Sequence, residues 1–238
     1  MKDQARISRE RPAQIFSAHV AQASDSVKAE LGKKETVKRI IRNVQRGVLP
    51  KDPATLQELT IDGDWSKTSR EEPFLIHDSG PDSHNRVIVF ASETGLRHLA
   101  TRDTWYMDGT FKVAPKLFEQ VYIIRAKLGE SAVTCAYSLM TGKSQDLYQE
   151  MLQAIVTKCE ELGFSPDPVD VHTDFEMSVI QAVKGVFGDH VNSRGCFYRL
   201  TQSTWRKIQQ LGLTDQYKSH EDFKLFCGML SSVGCWTP

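Results

Sequence analysis

Two acidic residues, Asp108 and Asp174, have the type and setting to carry chemistry. Asp108 interrupts WYMDGTFKV, the strand-like run from Trp105 to Val113, where a hydroxyl or an aliphatic residue would sit more naturally. A carboxylate buried in such a strand needs partners or a metal. Asp174 follows the short strand-like run Val169 to His172 and precedes a helical pattern. Such strand-to-helix junctions are where α/β sheets commonly present site residues. Mg²⁺ takes hard oxygen ligands, usually one or two carboxylates with waters or substrate phosphates. A pair of such ions supports in-line phosphodiester displacement by activating the attacking hydroxyl and stabilising the leaving oxygen. Asp108 and Asp174 are therefore candidate catalytic residues and candidate ligands of Mg²⁺ or Mn²⁺. The plainer alternative is that Asp108 marks a turn or an internal hydrogen bond and Asp174 caps the following helix.

A two-ion site normally takes a third acid. Glu176, two residues after Asp174, faces either the same cleft or solvent, while Asp215, Glu221 and Asp222 lie in polar stretches that read as surface. His190, Cys196, His220, Cys227 and Cys235 lack the CxxC pairs or tight Cys/His cadence of zinc sites, which argues against structural zinc. The chain contains no GxGxxG, Walker A or GxSxG sequence, the usual signs of dinucleotide enzymes, P-loop enzymes and serine hydrolases. His172 alternates with apolar neighbours and reads as a core or edge residue rather than a general base. Trp205 reads as buried, with Arg206 and Lys207 solvated beside it, although the three could also touch a nucleic-acid backbone.

The elements that must position these groups follow from periodicity. Three strands are expected at Trp105 to Val113, Phe118 to Lys127 and Ala132 to Met140, forming an antiparallel meander. Gln145 to Leu162 places Leu147, Met151, Ile155 and Cys159 at four-residue spacing, which predicts a helix with one buried face. A fourth strand at Val169 to His172, a helix at Met177 to Phe187, a fifth strand at Val191 to Tyr198 and a helix at Thr201 to Leu211 complete the pattern. Such an alternation packs as a mixed sheet with flanking helices. Its order is that of the ribonuclease H-like core, an α/β fold whose first and fourth strands are neighbours. That adjacency would bring Asp108 and Asp174 together.

Upstream, residues 11 to 46 read as helical with a break near Gly32. Val37, Ile40, Ile41 and Val44 form an apolar stripe crowded by Lys33, Lys34, Lys38, Arg39, Arg42 and Arg46. The first fifty residues hold 11 basic and 5 acidic side chains, so the overall net charge of zero conceals a basic front end. A basic amphipathic helix suits a nucleic-acid backbone, and equally reads as a solvated face behind a packed stripe. Three regions follow: residues 1–50, basic and mainly helical; residues 51–103, mixed and connecting, with a short strand at Val87 to Ala91; and residues 104–238, the core. The sequence has neither a secretory h-region at its start nor an apolar run long enough to span a bilayer, so a soluble, intracellular protein without a membrane partner is expected. Five widely spaced cysteines read as reduced and mainly structural.

At WYMDGTFKVAPKLFEQVYII, Trp105 to Ile124, the chain resembles the transposase domain of Mutator-like elements (MULE), within the ribonuclease H-like superfamily. The likeness continues through HTDFE at 172–176, Gly195-Cys196 and TQSTWRKIQQLGL at Thr201 to Leu213. Upstream, KRIIRNVQRGVLP at Lys38 to Pro50 and FLIHDS at Phe74 to Ser79 are also similar. The resemblance implies a metal-dependent enzyme that cuts and joins DNA through an Asp-Asp-Glu triad. Asp108 matches its first acid and Asp174 its second. The third is expected beyond a helical insertion within which Pro238 falls, so the expectation is a truncated or domesticated transposase core. Where the family commonly has a His three residues after the cysteine matching Cys196, this chain has Arg199. DNA as partner and the nucleus as compartment are implied, and homo-oligomerisation stays open. Two alternatives remain: a non-catalytic DNA-binding or protein-interaction module, and a transposon fragment without function.

Overall fold

The strands between Leu75 and Gly195 pair into one seven-stranded mixed sheet. The computed structural model describes residues 1–8, 10–48, 51–174, 176–195 and 197–233, in two compact units, Met1–Pro53 and Ala54–Pro238. In the second unit the strands are β1 (Leu75–Asp78), β2 (Val87–Ala91), β3 (Thr104–Thr110), β4 (Gln120–Leu128), β5 (Ser131–Met140), β6 (Asp170–Thr173) and β7 (Asn192–Gly195). Their spatial order is β1-β2-β5-β4-β3-β6-β7. The meander β3-β4-β5 is antiparallel, whereas β6 joins β3 and β7 joins β6 in parallel. This is the strand order expected of a ribonuclease H-like sheet, extended at the β5 edge by β2 and β1.

One face of the sheet carries the core. Trp105, Met107, Tyr122, Ile124 and Ala126 pack with Leu96 and Leu99 of α5 (Glu93–Thr101), Met151, Leu152 and Ile155 of α6 (Gln145–Glu161), and Val179 and Val183 of α7 (Met177–Phe187). Ser92 and Ser144 cap α5 and α6, their side chains accepting from the Gly95 and Leu147 N–H groups. Trp105 is fully buried and its indole N–H donates to the Leu99 carbonyl at 3.1 Å, so the large ring enters the core without an unmatched donor. Cys159 is buried on α6, and burial pushes its thiol up to about 11, which keeps it an inert packing residue.

The alternation in β3 differs from the sequence expectation at one point. Trp105, Met107 and Gly109 face the core, while Asp108 lies on the opposite side and is exposed. A one-sided strand has period two, so the charge falls on the solvated face and needs no burial. Two boundaries also move: β7 ends at Gly195, and Phe197 already belongs to α8 (Phe197–Gln210) instead of prolonging a strand to Tyr198. The short helices α9 (Thr214–Ser219) and α10 (Glu221–Val233) follow, and Trp205 of α8 meets Tyr217 of α9 edge-on at 5.2 Å.

In the first unit, α1 (Lys2–Ile7), α2 (Pro12–Gln22), α3 (Asp25–Glu30) and α4 (Lys34–Val48) surround a small core of Ala5, Ile15 and Ile41. Val37 and Val44 pack against that core as the stripe predicts, but Ile40 is 41% exposed. Successive helical residues are rotated by about 100°, so Ile40 falls off the line drawn by residues 37, 41 and 44.

Candidate active site

The central feature is a register. β3 and β6 run in parallel with Thr104 opposite Asp170, Trp105 opposite Val171 and Tyr106 opposite His172. Two residues further along both chains the same register brings Asp108 level with Asp174, which follows the last residue of β6 and precedes α7. Asp108 is exposed and Asp174 half-buried. Thus two carboxylates distant in sequence lie toward the same end of adjacent parallel strands, the position at which open α/β sheets bind ligands.

Behind this pair, on the core side, lies a buried group of hydroxyl and amide side chains. Gly109 sits directly opposite Tyr122 in the ladder, and a methyl group there would come within 2.6 Å of Gln120 Oε1 and 3.2 Å of the Tyr122 ring. Glycine after Asp108 therefore lets Gln120 and Tyr122 close up behind it. The Tyr122 hydroxyl lies 3.1 Å from Thr173 Oγ1, which in turn lies 3.5 Å from Asp174 Oδ1. Gln120 Nε2 donates to the Gly142 carbonyl and to the Tyr148 hydroxyl, and that hydroxyl donates to Glu176 Oε2 at 3.3 Å. Glu176 thus turns toward the fold interior through Tyr148 and also feels Asp174.

The electrostatics are those of crowded acids. Partial burial raises the Glu176 carboxyl above its ordinary range, the neighbouring Asp174 charge raises it further, and Lys143 offsets part of the effect. Burial also pushes the Tyr122 and Tyr148 phenols up, with Asp174 and Glu176 adding to the rise, so both hydroxyls stay protonated as donors. The donor set is oxygen-rich, and a divalent cation would relieve the repulsion. Asp108 and Asp174 fit the pattern of two carboxylates completed by waters or phosphate oxygens. Among the described residues, no three His, Cys, Asp or Glu side chains converge so as to hold a metal ion by themselves.

Other sequence candidates are placed elsewhere. Asp215, Glu221 and Asp222 are exposed on α9 and α10. His190 pairs with Asp167 at 2.8 Å on the surface, and His172 stacks on Tyr106 with ring centroids 4.9 Å apart. Burial lowers the His172 imidazole, and Arg194 lowers it further, so the ring stays neutral as a packing partner. Cys227 is buried, and His220 is exposed. Cys196 and Cys235 lie outside the described residues. Sequence reasoning missed Gln120, Tyr122, Tyr148 and Thr173. Only the proximity of Thr173 to Asp174 offered a signal, because the other contacts link strands and a helix across the fold.

Among models of protein families, that of the MULE transposase domain matches residues 104–203, a stretch running from the first residue of β3 into α8 and including both aspartates. No curated protein matches the chain. Among the described residues, no helix is long and apolar enough to cross a membrane.

Proposed function

We propose that this protein is a transposase-like DNA-binding protein, derived from an enzyme of metal-dependent DNA strand cleavage and transfer, in which Asp108 and Asp174 hold Mg²⁺ or Mn²⁺. The observation that supports the reading is the parallel β3–β6 register, which runs toward both aspartates within the stretch that matches the MULE transposase domain. When bound, the cation would supply activation of a hydroxyl nucleophile and charge stabilisation at a phosphodiester. The chain's own contribution is orientation. Asp108 presents its carboxylate from the exposed side of β3, and the buried Tyr122 and Thr173 hydroxyls back Asp174 from the core side. A DNA substrate makes the nucleus the expected compartment.

The rival reading, a non-catalytic DNA-binding module, is favoured by one observation. Arg39, Arg42 and Arg46 recur at helical spacing on α4 and are all exposed, whereas Lys38 is engaged by Glu35 at 2.6 Å. Both readings require DNA binding that weakens with salt. Fluorescence anisotropy with labelled duplex DNA tests this, and absence of binding at low salt would contradict both. A metal-dependent nick in supercoiled DNA, absent in Asp108→Asn, would select the enzyme, whereas tight binding with no nick would select the module.

A further inference from the structure

Beside the two aspartates, the loop joining β3 to β4 begins with an exposed aromatic residue. Phe111 lies three residues beyond Asp108, about 10 Å along an extended chain, the rise of about three stacked nucleotides of a DNA strand. The ring is not buried: Phe111 is 44% exposed. Lys143, from the turn between β5 and α6, holds its ammonium 4.0 Å from the ring centroid. The same ammonium lies 3.8 Å from Glu119 in a half-exposed pair, a weak interaction that leaves it able to meet a second anion. Lys112 and Lys116 on this loop are exposed as well.

An exposed ring fixed by a cation, with further lysines along the same loop, has the makings of a nucleic-acid contact. Aromatic faces stack on bases regardless of sequence, while lysines follow the phosphates. Resting on the DNA reading above, we infer that Phe111 is a base-stacking residue that receives an unpaired nucleobase beside the acidic pair, and that Lys143 steadies the ring and meets the adjoining phosphate. The partner is a DNA strand with at least one nucleotide out of the duplex. A continuous duplex, whose bases are already stacked on one another, would engage the lysines without using the ring.

The test compares two labelled probes on the full chain, a blunt duplex and the same duplex with a single-stranded tail containing 2-aminopurine. Wild type is expected to bind the tailed probe more tightly and to change the 2-aminopurine fluorescence. Phe111→Ala should weaken binding to the tailed probe about tenfold or more, as expected for one lost base–aromatic stack, abolish the fluorescence change and leave blunt-duplex affinity unaltered. Phe111→Trp should restore tail binding. Lys143→Gln should lower the salt dependence of tail binding by about one phosphate. Equal binding of both probes by wild type and Phe111→Ala would overturn the stacking inference while leaving the DNA reading intact. Failure of wild type to bind either probe at low salt would overturn the DNA reading and this inference with it.

Discussion

Tyr148 links the interior of the fold to the acidic end of the sheet, because its hydroxyl accepts from Gln120 and donates to Glu176. Tyr148→Phe keeps the ring and removes both bonds, leaving a buried amide N–H and a half-buried carboxylate each one partner short. The expected loss is about 1–3 kcal/mol in urea unfolding, with secondary structure retained; no loss would mean that the hydroxyl bonds are not maintained in solution. Individual site residues differ in how far the sequence revealed them. Asp108 and Asp174 stand out locally, as acids at a strand and at a strand end. Gln120, Tyr122 and Tyr148 do not, since their polar contacts arise only when β4 and α6 pack together. The expected burial of Asp108 failed for a local reason: Met107 and Gly109 take the core face, which turns the residue between them outward.

A buried charge joins the β1–β2 hairpin to the segment that precedes it. Arg86 is 1% exposed, and its Nε and Nη2 donate to the two oxygens of Asp78 at 2.7 Å each. It also donates to the Leu56 and Leu59 carbonyls, tying the segment after residue 53 to the β1–β2 hairpin. Arg86→Met should cost about 3–5 kcal/mol, because it strands the Asp78 carboxylate and two carbonyls; a change below 1 kcal/mol in denaturant unfolding would contradict this arrangement. Burial alone would raise the Asp78 carboxyl, but the Arg86 hydrogen bond, the Gly80 N–H and the Arg86 charge bring it below its ordinary value. A depressed carboxylate contributes stability that is present above its unfolded pKa, near 3.9, and lost as pH falls through the folded one. Stability should therefore decline more steeply below pH ~4 in wild type than in Asp78→Asn, followed by urea midpoints from pH 5 to 2. Parallel curves would mean that Asp78 is not linked to folding. Strands such as β2, β4 and β5 were legible because β-branched and aromatic residues dominate them. β1, with His77 and Asp78 among its four residues, gains its strand character from pairing with β2. α5 escaped notice because Leu96 and Leu99 alone form too short an apolar stripe to announce a helix, whereas β7 was expected but read too long, since Asn-Ser-Arg-Gly is strand by its parallel pairing with β6 and α8 begins at Phe197.

At the scale of the whole chain, charge is segregated: 11 basic against 5 acidic side chains in residues 1–50 within an overall net charge of zero. If α4 meets DNA through Arg39, Arg42 and Arg46, replacing all three by Ala should reduce the slope of log affinity against log salt by about 2–3. An unchanged slope would remove α4 from the interface. That helix and its stripe were readable from periodicity; the engagement of Lys38 was not, because Glu35 occupies it only once the helix sets them a turn apart. The proposed metal site is likewise a property of the folded sheet, since Asp108 and Asp174 are brought level only by the pairing of β3 with β6. Calorimetric titration of Mg²⁺ and Mn²⁺ into the purified chain, with Asp108→Asn, Asp174→Asn and the surface control Asp215→Asn, is the most direct test of that shared site. Saturable binding in wild type and in Asp215→Asn, lost in each of the other two variants, is the predicted result. Absence of binding in wild type, or binding that survives both Asp108→Asn and Asp174→Asn, would contradict it.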